Sequence, residues 1–497
     1  MEIFLSALET LWRLDVILAL LVGAVGGVII GAIPGVGPAV AIAILLPATF
    51  SMEPIVGLTM LLGIYGASMY GGAIPAILIN TPGTPVNALT TYDGHAMTRQ
   101  GQAGRALSLA YSASFFGGIF SVICLVILSP YIAKVAPLFG SRDILMAALL
   151  GVILVIIAHR GKTFAAGMLV FIGMFLDTVG MESVRYTKRF TFDQSWLLSG
   201  FDLIVVLLGL FALSQAFVLL VGRDRKTQVA PVAGKLFSGM AELFRYKRVA
   251  ACSSGFGVIM GIIPGVGEFL AQFFSYTLAQ NLSKEPQRFG HGSPEGLIAS
   301  ESANNAVPAA AMIPLLALGI PGEALTAMML SVFYVHSIIP GPALFQTQPD
   351  FLVTLYLCLF LVNILVLVVL MMTTNTLLKV INVPGRFLGA CILVLSFVGV
   401  YSLRNSIIDC AACAVFGLIG YILKRLKLPL VPIILGMVLG GIMEQRFRAS
   451  LARIETPLDF INRPVSGTIF AIIIIALIAH GVALVRARKK RLLNPGI

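Results

Sequence analysis

Long stretches of this chain carry neither acid nor base. Residues 16–52, 54–92, 106–133, 203–222 and 351–378 contain no Asp, Glu, Lys or Arg. Each stretch matches or exceeds the ~20 apolar residues that take a helix across a bilayer. The first two are long enough for a hairpin or an interrupted span. No single soluble core can use so many, so the pattern predicts an all-α polytopic membrane protein.

Within those stretches the polar and Pro/Gly punctuation repeats. Gly31-Ala-Ile-Pro-Gly-Val-Gly37 recurs as Gly261-Ile-Ile-Pro-Gly-Val-Gly267, six identities in seven at an offset of 230 residues. Further on, Ala73-Ile74-Pro75 is echoed by Ala306-Val307-Pro308, and Thr81-Pro82-Gly83 by Ile320-Pro321-Gly322. Three such signatures in one order predict two related halves. Each half reads as a hairpin, one Pro/Gly-broken span and four ordinary spans, with a C-terminal helix left over. The division is residues 1–222 for the first repeat, 223–248 for a basic cytoplasmic linker and 249–445 for the second repeat. Residues 446–497 make an interfacial segment, a last transmembrane helix and a basic tail.

Charge sets the expected orientation. Basic residues cluster between apolar segments, at Arg223, Arg225 and Lys226, at Arg245, Lys247 and Arg248, at Lys424, Arg425 and Lys427, and from Arg486 to Arg491. Cytoplasmic loops are enriched in Lys and Arg. Counting back from a cytoplasmic C-terminus opens the second Pro-Gly-Val-Gly hairpin to the cytoplasm and the first to the outside, so the repeats come out inverted. Two stretches fit this count badly. Arg185, Lys188 and Arg189 fall outside, as do Arg446, Arg448, Arg453 and Arg463, the latter partly offset by Glu444, Glu455 and Asp459; both stretches read as interfacial helices or subunit contacts.

Composition then narrows the function. Of 497 residues 58% are hydrophobic and 11% charged, with a mean hydropathy of +0.98; soluble proteins carry about 25% charged residues. The net charge of +12 lies in loops and has no aromatic-interleaved basic domain beside it, which argues against nucleic acid. Residues 1–14 lack a basic n-region and contain Glu2 and Glu9, so they read as an interfacial helix, not a cleaved signal. Cys410 and Cys413 have redox-pair spacing but sit in an apolar helix with no second pair. The five histidines are isolated, and no Gly-rich loop leads into Lys-Ser/Thr, so no ATPase is encoded. An ion gradient or a partner must supply the energy.

The breaks carry the candidate chemistry. A broken helix in lipid frees backbone groups at several kcal/mol each, so it survives where it faces protein or a cavity. Inverted-repeat transporters bind solutes there, and helix N-termini at the break suit a carboxylate. Candidate solute-binding residues in the first half are Gly35, Gly37, Asn80, Thr81, Gly83, Thr84 and Asn87, with Thr84 as an N-cap and Pro85 as the first helical residue. In the second half they are Pro264, Gly265, Gly267, Asn304, Asn305 and Gly322. No Lys or Arg lies in these motifs, so backbone dipoles would have to meet an anion. Glu301, flanked by Ser300 and Ser302, would cost on the order of 3 kcal/mol as an ion in a span. These three, with Glu268, are the candidate cation-coupling residues, with Na⁺ or H⁺ as the ion and Glu301 as the centre of a Na⁺ site.

These motifs together resemble the large membrane subunit of tripartite tricarboxylate transporters, the TctA type. The resemblance rests on residues 31–37 with Leu46-Pro47, on Tyr70-Gly-Gly-Ala-Ile-Pro75 with Asn80-Thr-Pro-Gly83, and on Glu301-Ser-Ala-Asn-Asn305. Near the C-terminus it adds Leu435-Gly436, Glu444, Arg448, Ser450-Leu451 and Arg463-Pro464. It implies a small four-helix membrane subunit, a periplasmic solute-binding receptor and cation-driven import of di- or tricarboxylates or related organic anions through the bacterial inner membrane. It leaves the carboxylate itself open. A stand-alone organic-anion carrier is the nearest alternative. A membrane-embedded enzyme is the alternative of another class, but no nucleophile–base or metal constellation is visible for it.

Overall fold

The computed structural model describes residues 2–34, 36–159, 161–182, 186–222, 238–265, 267–378, 383–452 and 454–493. The chain is helical almost throughout, with a single pair of two-residue strands among the described residues. Nine of the described helices are long and apolar enough to cross a bilayer. The protein is therefore an all-α polytopic membrane protein. Contacts group it into two compact units, Met1–Lys134 with Phe201–Leu430, and Val135–Gly200 with Val431–Ile497. This grouping follows packing, and each unit draws on both halves of the sequence.

The first unit opens with α1 (Glu2–Leu11), a short helix that exposes Ile3, Phe4 and Leu5, as an interfacial helix would. The charge-free run 16–52 forms α2 (Leu14–Ala32) and α3 (Pro38–Thr49), joined at the Pro-Gly turn. The run 54–92 forms α4 (Pro54–Ile79), a break at Asn80–Thr84, a 3₁₀ turn (Pro85–Ala88) and the start of α5 (Thr90–Arg99). Then comes α6 (Ala103–Val135).

The second half follows the same order. Before it lies one span (Leu203–Val221), made of α9 (Leu203–Leu207), a π segment (Leu208–Leu213) and α10 (Ser214–Val221). After the short α11 (Ser238–Leu243), α12 (Lys247–Ile262) and α13 (Gly267–Leu282) form the hairpin. The long α14 (Pro294–Leu318) ends at Gly319, and α15 (Ala324–Val335) resumes beyond the break. The rest of this unit is α16 (Leu344–Thr347), α17 (Pro349–Leu377), α18 (Gly385–Arg404) and α19 (Ile407–Arg425). Residues 223–237, most of the expected linker, lie outside the described residues.

Glycines set how closely the hairpins pack. Gly23, Gly27 and Gly31 of α2 recur every fourth residue, one turn apart, and lie against the backbone of α4 at Met60, Ile64 and Ser68. Such small-residue stripes let membrane helices approach to backbone contact, where van der Waals packing replaces the missing hydrophobic drive. The second half does the same with Gly257 and Gly261 of α12 against Ala303 and Val307 of α14. Both breaks then fold back onto these stripes. Gly83 sits on the carbonyl of Gly31, and a Cβ at Gly322 would lie 2.8 Å from the carbonyl of Gly261.

The second unit contains α7 (Ser141–Ala158), α8 (Thr163–Thr178), the strand pair, α20 (Val431–Leu451) and α21 (Pro464–Leu493). Helices α8 and α20 touch backbone to backbone, Gly173 on the Ile433 carbonyl and Gly436 on the Val170 carbonyl. Here the misfit arginines find acids. Arg189 and Arg448 both bind Glu444, each at 2.7 Å, Arg448 reaches Glu182 at 2.8 Å, and Arg463 reaches Asp143 at 2.9 Å. Glu444, one of the acids set against these bases in the sequence, pairs with two of them, whereas Glu182 and Asp143 are acids the count did not use. Arg185 and Arg453 lie outside the described residues.

Candidate functional site

The site is assembled where α5 runs antiparallel beside the first half of α14. Thr90 lies level with Glu301, Gly94 with Leu297, and Met97 with Gly292. The register is pinned at one end by Asp93. Its Oδ1 accepts the backbone N–H groups of Gly290, Gly292 and Ser293 at 2.9, 2.9 and 2.7 Å, and its Oδ2 accepts the Tyr276 hydroxyl at 2.8 Å. Ser293 caps α14 and Pro294 opens it, so Asp93 places a negative charge at the positive end of a long helix. An element from the first break is thereby latched onto the second half.

Two turns further along α14, Glu301 is fully buried. Its Oε1 accepts from the Thr90 hydroxyl and, at 3.4 Å, from the Asn87 amide. Its Oε2 accepts from Ser114 of α6 at 2.8 Å and from Asn305 at 3.4 Å. Asn87 is oriented by Thr84, whose hydroxyl donates to its Oδ1 at 2.5 Å. A continuous polar chain thus runs from Thr84 through Asn87 and Glu301 to Asn305. Room for it is cut by glycines, because a Cβ at Gly72 would collide with Asn87 and one at Gly117 with the Ser302 carbonyl. The four side chains that hydrogen-bond to the carboxylate are hydroxyls and amides. No Lys or Arg ion-pairs with it among the described residues. Hydroxyls and amides can donate or accept, so this shell can serve a carboxylate, a carboxylic acid or a carboxylate with a bound cation.

The other sequence candidates distribute unevenly. Thr84 does precede a helical turn that begins with Pro85, but its hydroxyl goes to Asn87 and makes no cap bond. Asn80 ends α4 in the left-handed conformation, at φ 55°, and Thr81 is exposed beside it. Ser300 turns back onto its own helix, to the carbonyls of Gly296 and Leu297, and Ser302 donates to Ala113; neither faces the Glu301 carboxylate. Asn304 is fully buried with both amide atoms unpartnered. Gly37 is the N-cap residue before α3, at φ 38°, Gly265 donates to the Gly322 carbonyl at 2.7 Å, and Pro264 is half-buried in the same turn as Gly265. Gly267 begins α13 and Glu268 accepts the Tyr65 hydroxyl at 2.9 Å. Gly35 lies outside the described residues.

Some participants carry no sequence signature. Thr90 beside Thr91, and Ser114 after Ser108 and Ser112, are hydroxyls among others in their helices, and Tyr65 is one aromatic among many. A cleft of about 490 Å³ also opens beside the first break, lined by Asn80, Pro82, Tyr92, His95, Arg99 and Gly290 among others. A cation from α5 therefore stands next to a break whose motif contains none.

Buried polar groups strung along helix breaks, inside an all-helical polytopic protein, define a membrane transport protein. The chain belongs to the tripartite tricarboxylate transporter TctA family, which matches residues 17–435. It is 35% identical over 464 residues to an uncharacterized 52.8 kDa protein in the TAR-I ttuC' 3'region of Agrobacterium vitis, with 92% of each chain covered. It is 32% identical over 235 residues to an uncharacterized protein in the TAR-II ttuC' 3'region of the same organism, covering 47% of this chain and 97% of that one. No solved structure matches.

Proposed function

We propose that this chain is the large transmembrane subunit of a receptor-dependent secondary transporter of the bacterial inner membrane. It imports tricarboxylates, dicarboxylates or related organic anions, driven by a Na⁺ or H⁺ gradient, with its C-terminus in the cytoplasm. A small four-helix membrane subunit and a periplasmic solute-binding receptor complete the system, as the family's tripartite name supports.

The observation that carries this reading is the bond from Asn87 to Glu301, which joins the solute-type break of the first half to the fully buried acid of α14. The break offers hydroxyls, amides and backbone N–H groups without an acid, which suits carboxylates. Arg99 beside Asn80 adds the positive charge that an anion's path needs. Glu301 offers a site where a cation or proton changes the charge. A solute bound at one end of the chain and a cation at the other would feel each other through two side chains.

Vesicles containing this chain and its small membrane partner test the proposal. Uptake of labelled organic acid should require loaded receptor and collapse without the cation gradient. Substantial uptake without receptor would instead support a stand-alone carrier.

A further inference from the structure

We infer a second cation site, formed by Glu268 and Glu323 at the break of the second half, which takes a monovalent cation, either Na⁺ or a proton. The inference rests on the cation-coupled reading above and extends it to residues on the far side of the pseudo-repeat.

Glu323 follows Pro321-Gly322 as Thr84 follows Pro82-Gly83, and Glu268 follows Gly267 as Pro38 follows Gly37. At both corresponding positions the first half is uncharged, so the two acids occur together in one half only. The fold brings the Glu323 carboxylate beside the residue that precedes Glu268. Gly265 donates to the Gly322 carbonyl at 2.7 Å, which holds the hairpin turn against the break. The Glu323 Oε2 lies 3.7 Å from where a Cβ on Gly267 would stand, immediately before Glu268. Both side chains are 7% exposed.

Each acid stands at a helix N-terminus, whose dipole offsets part of its charge, but neither has a cationic partner. The Glu323 Oε1 is buried without a hydrogen-bond partner. Glu268 receives the Tyr65 hydroxyl of α4, which is the titratable group facing it. Gln272, one turn along α13 from Glu268, is fully buried with both amide atoms unpartnered. No Lys, Arg or His among the described residues pairs with either acid. Buried carboxylates without a counter-charge are strongly disfavoured and acquire a proton or an ion. Carboxylate, amide and hydroxyl oxygens are hard donors, which suits Na⁺ as well as a proton. The pair is separate from Glu301, whose carboxylate is already surrounded by donors.

Cation binding can be read without transport. The full chain, purified in detergent, is unfolded thermally against NaCl with choline chloride holding ionic strength constant, and separately across a pH series. The wild-type midpoint should rise saturably with one cation, and which one identifies the ligand. E323Q and E268Q should each shrink that rise to the part that Glu301 contributes, while E301Q keeps the part contributed by this pair. Should E323Q not fold, E268Q, on a different helix, carries the same test. A wild type indifferent to both cations, or E323Q and E268Q that respond as wild type does, would overturn the site. Receptor-dependent uptake is measured on the same wild-type preparation. A protein that binds the cation but transports without its gradient would sink the coupling reading and leave the site standing.

Discussion

The Thr90 hydroxyl donates to the Glu301 carboxylate across 211 residues of chain. Thr90 begins α5, just after the first break, and Glu301 is buried two turns inside α14. Their contact is how two halves of the sequence come to share one polar site.

Thr84→Ala removes the hydroxyl that orients Asn87. The loss should be about 1 kcal/mol, typical of one hydrogen bond, or about fivefold in apparent solute affinity. Thr84→Ser should restore it. Concentration dependence of receptor-driven uptake gives the affinity, and the dependence on the cation gradient should stay as in wild type.

Gly83→Ala should destabilise by about 1–3 kcal/mol, the usual cost of forcing atoms into a packed site, because its Cβ would collide with the Gly31 carbonyl. Gly322→Ala should do so as well, because its Cβ would come within 2.8 Å of the Gly261 carbonyl. Gly66→Ala, in α4 with nothing within 4 Å of an added Cβ, should be neutral or stabilising. Thermal midpoints in detergent rank the three.

Much of this architecture is legible before any coordinates. Charge-free runs gave the spans, and the paired Pro-Gly-Val-Gly turns gave both hairpins, because a break in an apolar helix needs residues that announce themselves. Glu301 stood out as an acid in an apolar context. Its partners did not: Thr90 and Ser114 have neighbouring hydroxyls, Thr91 and Ser112, that read the same in the sequence, and they reach Glu301 only through packing of distant helices. Ser300 and Ser302 were credited for adjacency, but neighbours on a helix point about 100° apart. Glu323 was readable in principle, since it occupies the place of Thr84, yet an acid at a helix start also reads as an ordinary N-terminal residue. Glu444 was readable as a partner for Arg448 four residues on, but the pairs Arg189–Glu444, Arg448–Glu182 and Arg463–Asp143 join distant segments, Arg189 and Glu444 lying 255 residues apart.

Arg463→Met should leave the buried Asp143 carboxylate without its cation. Asp143 is 1% exposed and the arginine 43%, so solvent softens the loss to about 1–2 kcal/mol, below that of a fully buried pair. Adding Asp143→Asn should recover part of it. A double-mutant cycle on thermal midpoints checks the coupling.

The two Pro-Gly-Val-Gly hairpins should open to opposite sides of the membrane. In a cysteine-free background, a cysteine at Arg13 should label from the periplasm and one at Arg248 from the cytoplasm. Labelling of both from one side would refute the inverted arrangement.

The central claim is that Glu301 senses the coupling cation for a solute held at the break beside it. Its most direct test is uptake by Glu301→Gln vesicles, with receptor and small subunit present, as Na⁺ and pH are varied in turn. Glutamine keeps the size of the side chain and one accepting oxygen but cannot carry the charge. The account predicts that the dependence on the driving cation flattens while receptor dependence persists. Uptake with unchanged dependence on both Na⁺ and pH would contradict it.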